Sequence, residues 1–232
     1  MLETLKEQVY MANIELVERG LVIYTWGNVS GIDKSRTYIV IKPSGLSYQK
    51  MTPDDMVVVD LYTGKKVEGC WNPSSDTPTH IEIYKAFPCV GGIAHTHSIN
   101  AVAYAQAGID VPALGTTHAD YFYGPIPCTR ELTEKEVTNS YEENTGKVIV
   151  ECINNRLIDP MAVPGILVKN HGPFSWGKDP ASSVYYSVVM ETICEMNIKT
   201  MTINRHASMK QYILDKHYRR KNGPDAYYGQ KM

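Results

Sequence analysis

The chain has 232 residues, 43% hydrophobic and 21% charged, with 23 basic against 25 acidic side chains and a formal charge of −2. This length supports one large or two small domains with a core that needs no metal or disulfide staple, and the near-neutral balance gives no electrostatic reason to expect nucleic acid or an anionic membrane as partner. No apolar run approaches the roughly 20 residues of a spanning helix, and the mixed acids and bases of the N-terminus exclude the apolar core of a signal peptide, so the chain is expected to begin as mature structure.

Leu2, Leu5, Val9, Ala12 and Leu16 recur at helical spacing with charged residues opposite and Gly20 as a stop, which predicts an amphipathic helix over 2–19. Short β-type runs follow at Thr37–Ile41 and Val57–Leu61, with Pro43-Ser44-Gly45 and Tyr62-Thr63-Gly64 as turns, so these are read as neighbouring antiparallel strands. Thr77 as N-cap and Pro78 as first helical residue open a helix to about Phe87. Gly91–His97 reads as a buried strand and Ala101–Ala107 as a helix stopped by Gly108. Thr133 and Glu136 form a capping box at the head of a long amphipathic stretch to about Arg156, with Gly146 as a point where it dents. A strand at Gly165–Lys169, a helix over 181–200, a basic helix over about 208–221 and a turn at Asn222-Gly223-Pro224 complete the chain.

With no internal repeat and no long flexible linker, residues 1–232 are expected to form a single α/β domain. Several strand connections are too short for parallel crossovers, so the sheet is expected to be mainly antiparallel or mixed, with helices on both faces. Cys70, Cys89, Cys128, Cys152 and Cys194 are odd in number and widely spaced, without a C-x-x-C pair. They are expected to be reduced thiols, buried or half-buried, in a cytoplasmic protein.

Chemistry concentrates in a few short segments. His95 and His97 flank Thr96 at the end of a predicted strand, where residues two apart point the same way and can share one metal; two hydrogen-bonded histidines fit the same pattern. His171, just past the next predicted strand, supplies a third imidazole at the rim of the sheet. Asp76 precedes a predicted helix and fits either a helix cap or a further ligand. Three imidazoles with a carboxylate suit a borderline divalent cation such as zinc, with a coordination position for substrate. Gly27-Asn28, Ser44-Gly45 and Ser74-Ser75, with Lys42 nearby, place small, hydroxyl and amide residues in loops beside strands; they fit ordinary turns or a phosphate cradle. Asp120, His217 and Tyr227-Tyr228-Gly229 offer acid/base groups that equally fit a turn cap and a docked tail.

Taken in order, Trp26-Gly27-Asn28-Val29-Ser30, Ile41-Lys42-Pro43-Ser44-Gly45, Pro73-Ser74-Ser75-Asp76-Thr77-Pro78-Thr79-His80, His95-Thr96-His97-Ser98, Gly115-Thr116-Thr117-His118-Ala119-Asp120 and Tyr227-Tyr228-Gly229-Gln230 resemble the class II aldolase/adducin family over almost the whole chain. The resemblance implies a three-layer α/β/α domain around a central, mostly antiparallel sheet, assembled as a homotetramer with intersubunit active sites. It implies one Zn2+ per chain on His95, His97 and His171, with Asp76 beside them where related aldolases use Glu. It places Gly27, Asn28, Ser44, Gly45, Ser74 and Ser75 on the phosphate of a phosphorylated pentulose. Asp120 and Tyr228 match two acid/base positions, the tyrosine reaching in from a neighbouring subunit, and Thr116, Glu142 and His217 match further residues around the site. The implied activity is cleavage and re-formation of a carbon–carbon bond that inverts one carbon of the sugar. Within the same resemblance, the rivals are an aldolase that releases its aldehyde and a noncatalytic, adducin-like assembly domain.

Overall fold

The computed structural model describes residues 2–223 and 226–229; Pro224 of the expected tail turn and Gln230 of the tail motif lie outside the described residues. Its elements in chain order are α1 (Glu3–Glu18), β1 (Gly27–Ile32), β2 (Tyr38–Ile41), β3 (Val57–Asp60), β4 (Lys66–Glu68), α2 (Thr77–Ala86), β5 (Gly92–Thr96), α3 (Ile99–Ala107), α4 (Thr116–Ala119), α5 (Glu134–Thr138), α6 (Tyr141–Asn155), β6 (Gly165–Val168), β7 (Gly172–Gly177), α7 (Pro180–Ile203) and α8 (Gln211–Lys221). The seven strands form one sheet in the order β4-β3-β2-β1-β5-β7-β6, and every neighbouring pair is antiparallel.

Alternation along the strands decides the layers. Ile39, Ile41, Val57, Val59, Ile93, Phe174 and Trp176 share one core with Ile81, Ile83 and Tyr84 of α2 and Ile149 and Ile153 of α6. The intervening Val40 and Val58 join Val9 of α1, Val29 and Ala94 join Leu16 and Val184, and Leu167 joins residues of α3 and α7. Two interleaved apolar sets at a period of two mean a sheet covered on both faces. The expected three-layer α/β/α architecture is therefore realised, with α2 and α6 on one side and α1, α3 and α7 on the other. Trp176 is fully buried yet satisfied, its indole N–H donating to the Pro160 carbonyl at 2.7 Å.

Several boundaries differ from those expected from sequence. β1, β4 and β7 were not among the predicted strands. β1 reads Gly-Asn-Val-Ser-Gly-Ile, a composition poor in β-formers, and it is a strand because β2 and β5 pair it on both sides. β7 begins with Gly172-Pro173, which reads locally as a turn; the turn lies just before it, where the His171 amide donates to the Val168 carbonyl at 3.0 Å and Asn170 takes a φ of 63°. That is the position of a type II turn that favours Gly or Asn. The N-cap of α2 is Asp76 rather than Thr77.

The single helix expected over 133–156 is two. The Thr133–Glu136 capping box is present, but α5 stops at Thr138, and α6 restarts at Tyr141 after Ser140 in the left-handed region, φ 64°. Gly146 does not dent α6: a Cβ there would lie 2.6 Å from Glu82 Cβ and 2.9 Å from the Thr79 carbonyl, so the glycine lets α6 lie against α2. All five cysteines are free thiols; Cys128, Cys152 and Cys194 are buried as expected, whereas Cys70 and Cys89 are exposed. Among the described residues, no helix is long and apolar enough to cross a membrane.

Candidate active site

Antiparallel pairing brings the start of β1 and β7 to the same edge of the sheet as the end of β2 and β5. Asn28 pairs with His95, and His95 with Phe174. A cavity of about 650 Å³ opens at this edge, and its walls carry the expected Gly27, Asn28, Ser44, Gly45, Ser74, Ser75, Asp76, His95, His97, His171 and Glu142, together with Lys42, Trp26 and Tyr141.

The three histidines converge. Ligating atoms of His95, His97 and His171 all lie within 4.8 Å of one another, and His95 Nε2 is 3.2 Å from His97 Nε2. With metal–nitrogen bonds of about 2.0–2.1 Å, tetrahedral geometry calls for a nitrogen–nitrogen spacing of roughly 3.3 Å. His95 is buried and stacked on Phe174, centroids 4.2 Å apart. Its Nδ1 faces the Pro173 carbonyl at 3.0 Å; a carbonyl only accepts, so the proton sits on Nδ1 and the Nε2 lone pair turns to His97. His171 is held neutral, its pKa pushed down to about 3, first by burial and then by His95 and His97. Burial, followed by His95, also lowers His97. Neutral imidazoles are the form that ligates a metal.

Asp76 lies beside this set rather than within it. Its carboxylate makes no capping bond to α2 and accepts from Asn28 Nδ2 at 2.6 Å, while Asn28 also reaches Ser74 Oγ at 3.1 Å. Burial alone would raise the Asp76 carboxyl, but His95, His80 and the Asn28 hydrogen bond outweigh it and hold the group below its ordinary value.

The loops 43–45 and 73–75 run side by side through a Pro43–Pro73 bridge, tied by the Ser44 amide to the Asn72 carbonyl and the Ser74 amide to the Lys42 carbonyl, both at 3.0 Å. Gly27, at φ 130°, is required: a Cβ would lie 2.8 Å from the His95 carbonyl. Lys42 is 1% exposed, with its ammonium 3.2 Å from the Pro43 carbonyl and 4.7 Å over the Tyr48 ring. Burial lowers its pKa to about 8. Among the cavity's lining residues it is the only Lys or Arg, against the carboxylates of Asp76 and Glu142. A buried ammonium beside serine hydroxyls has the chemistry to take an anion.

The expected acid/base residues are elsewhere. Asp120, at the end of the α4 turn, takes both Arg220 Nε at 3.0 Å and Nη2 at 2.7 Å, with His217 Nδ1 at 3.0 Å and Lys221 at 3.3 Å. Tyr228 lies over the same two cations, 5.1 Å from Arg220 and 4.3 Å from Lys221, and its amide donates to the Arg220 carbonyl at 3.0 Å. Thr116 begins the α4 turn, its carbonyl accepting from the Asp120 amide at 3.0 Å. None of these residues lines the histidine cavity. The family resemblance brings Asp120 and Tyr228 from different chains to one site; within a single chain the two lie together around Arg220. Burial would raise the Asp120 carboxyl, but Arg220, His217 and Lys221 hold it below the ordinary carboxylate range. His80 and His118 are buried elsewhere, on Ser30 Oγ at 2.7 Å and the Gly124 carbonyl at 2.6 Å.

Sequence reasoning missed Tyr141, whose phenol oxygen is 3.3 Å from His171 Nδ1; the Asn139-Ser140 pair that restarts a helix is the signal that could have found it. Arg220 was read only as part of a basic helix.

Fold and site together define an antiparallel three-layer α/β protein with a convergent histidine triad beside serine-bearing loops and a buried lysine. The profile of the class II aldolase and adducin N-terminal domain family matches residues 7–198, and the chain belongs to that family. Solved structures share the fold. An L-fuculose 1-phosphate aldolase superposes with a TM-score of 0.77 at 19% identity, covering 94% of this chain and 95% of its own. The L-fuculose 1-phosphate aldolase from Glaciozyma antarctica PI12 gives 0.77 at 18%, covering 97% and 84%. An aldolase II superfamily protein from Pseudomonas syringae gives 0.75 at 15%, covering 97% and 88%.

Proposed function

We propose that the protein is an L-ribulose-5-phosphate 4-epimerase, which interconverts L-ribulose 5-phosphate and D-xylulose 5-phosphate by breaking and remaking the C3–C4 bond. One observation carries the reading: three convergent imidazoles share a single cavity with a cradle built around a buried lysine. The donor set fits Zn2+, since it is all nitrogen, one pair is already near tetrahedral spacing, and His95 is oriented by a carbonyl behind it. A divalent cation on His95, His97 and His171 supplies Lewis acidity for the negative charge that develops when a carbon–carbon bond breaks.

The chain's own residues account for the rest. The carbon to be inverted carries an unactivated hydroxyl, and simple proton removal there leaves a carbanion that nothing adjacent stabilises. Loss of the C4-hydroxyl proton instead lets the C3–C4 electrons flow to the C2 ketone, giving glycolaldehyde phosphate and the enediolate of dihydroxyacetone. Lys42, with the Ser44, Gly45, Ser74 and Ser75 loops, holds the phosphate while the aldehyde turns its other face, and recombination returns a proton to the new hydroxyl. Asp120, kept ionised by Arg220, accepts the first proton and Tyr228 donates the second, with the roles exchanged in reverse. Because both lie in one cluster away from the cavity, we place them in a neighbouring chain of a homotetramer, whose cluster closes over the cavity. Asn28 and Asp76 position the substrate side of the triad, and Glu142 faces it from α6.

Incubation with L-ribulose 5-phosphate in deuterated water tests this. D-xylulose 5-phosphate should form with little free glycolaldehyde phosphate and with the C4 hydrogen retained. Free aldehyde as the main product would make the protein an aldolase and overturn the epimerase reading; deuterium at C4 would mean proton abstraction and overturn the C3–C4 cleavage.

A further inference from the structure

We propose that Tyr141 is a positioning residue for the metal centre: its phenol oxygen holds the His171 ring in the tautomer and orientation that present Nε2 to a cation. The inference rests on the metal-binding part of the function proposed above and names a residue that part does not require.

His95 and His171 meet the same requirement by different means. A metal-ligating imidazole needs its second nitrogen protonated and held. For His95 the Pro173 carbonyl does this from within the sheet. His171 sits on the turn before β7, and among the described residues the hydrogen-bond partner of its ring is Tyr141, with Oη 3.3 Å from Nδ1 and the rings tilted by 31° at 6.0 Å. A phenol oxygen accepts from Nδ1–H and leaves the Nε2 lone pair for a metal.

The backbone is bent on both sides of this one contact. Ser140, immediately before Tyr141, has φ 64° and ψ 60°, and Asn170, immediately before His171, has φ 63°. At Asn170 this is the turn position that Asn favours, whereas at Ser140, neither Gly nor Asn, a left-handed conformation persists where the surroundings over-determine it. Helix capping does not explain the Ser140 bend, because its side chain makes no capping bond. The break is instead stitched from within α6, where Asn144 Nδ2 donates to the Asn139 carbonyl at 2.5 Å and the Glu136 carbonyl at 2.9 Å. Asn170 is fixed in turn by its amide on the Ala105 carbonyl at 3.0 Å and its side chain on Glu131 at 2.9 Å. The interruption between α5 and α6 sets where α6 begins, and the first residue of α6 is the one whose phenol meets His171.

The test is a Co2+ titration of chelator-stripped protein against a chromophoric competitor, run on wild type, Tyr141→Phe and His97→Asn, with the visible cobalt spectrum and metal-free melting temperature recorded for each. Tyr141→Phe should weaken Co2+ binding roughly 10–100-fold and alter the cobalt absorption bands, while melting like wild type without metal. An affinity within about twofold of wild type with an unchanged spectrum would overturn the role of Tyr141. So would a metal-free melting temperature that falls in step with the affinity, which marks a structural contact. Failure of wild type to bind, or tight binding by His97→Asn, would overturn the metal site itself and this inference with it. Binding lost in His97→Asn but intact in Tyr141→Phe would remove only the present assignment.

Discussion

The cavity draws its side chains from four strand ends, two linked loops and the starts of α2 and α6, whereas the Asp120 cluster draws its own from the α4 turn, α8 and the segment after it. In the cavity, polar groups surround a shared void: three imidazoles converge, the Lys42 ammonium has no carboxylate partner among the described residues, and serines line the loops. In the cluster, charges satisfy one another around a 7%-exposed carboxylate, with Tyr228 laid over the cations at 61% exposure. The first region brings together a histidine cluster that could hold a metal and a buried ammonium beside serines. The second holds groups able to move protons and presents its tyrosine outward. The histidine cavity and the Asp120 cluster are thus separate regions of one chain, and the function proposed above needs both, the second from a neighbouring chain.

The sharpest way to break this division is to exchange one residue on each side. His97→Asn should strip the metal and lower activity by about a thousandfold or more, with little effect on the metal-free fold because His97 is exposed in the cavity. Asp120→Asn should retain the metal while losing roughly 10²–10⁴ in rate, as expected for removal of an acid/base group. Elemental analysis and turnover of the two variants decide it; metal lost from Asp120→Asn would make the regions one unit.

A smaller effect sharpens the account of the cradle. Lys42→Met should weaken inorganic phosphate binding roughly 10–100-fold, since hydrogen bonds to a charged group contribute about 1.5–3 kcal/mol. In wild type the same affinity should fall as pH rises through about 8, where Lys42 loses its proton. The sign for stability is opposite. An unfolded lysine keeps its proton to about 10.4, so between about 8 and that value the unfolded chain binds more protons and this group makes folding more favourable as pH rises. Removing the buried ammonium should accordingly raise the melting temperature of the free protein near pH 7 by roughly 2–4 °C per kcal/mol gained. Phosphate titration calorimetry and melting curves across pH check both signs; a less stable Lys42→Met protein with unchanged phosphate affinity would remove Lys42 from the cradle.

What could be read from sequence was what depends on short-range pattern. The period of α1, the Gly108 stop, the Thr133–Glu136 capping box and the two-residue spacing of His95 and His97 are local, and each reappears in the structure. Features set by tertiary context were not legible. β1 has glycines and an asparagine where a strand former would be expected, and its neighbours make it a strand. Pro173 looks like a turn residue but starts β7 and supplies the carbonyl that orients His95. Asp76 has the position of a helix cap, yet Asn28, 48 positions away, takes its carboxylate. The gathering of Asp120 and Tyr228 around Arg220 depends on how α8 lies against the α4 turn, which no spacing in the sequence encodes.

Hybrid assemblies test most directly the claim that one chain supplies the cavity and another the proton-transfer cluster. His97→Asn and Asp120→Asn chains, each inactive alone, are unfolded together in equal amounts, reassembled and assayed. Sites that pair the intact cavity of the Asp120→Asn chain with the intact cluster of the His97→Asn chain should restore about a quarter of wild-type activity, as random pairing of two halves requires. The same experiment with Asp120→Asn and Tyr228→Phe should restore none, because every cluster then carries one altered residue. A properly assembled first mixture that stays inactive, or a second mixture that recovers, would contradict the account.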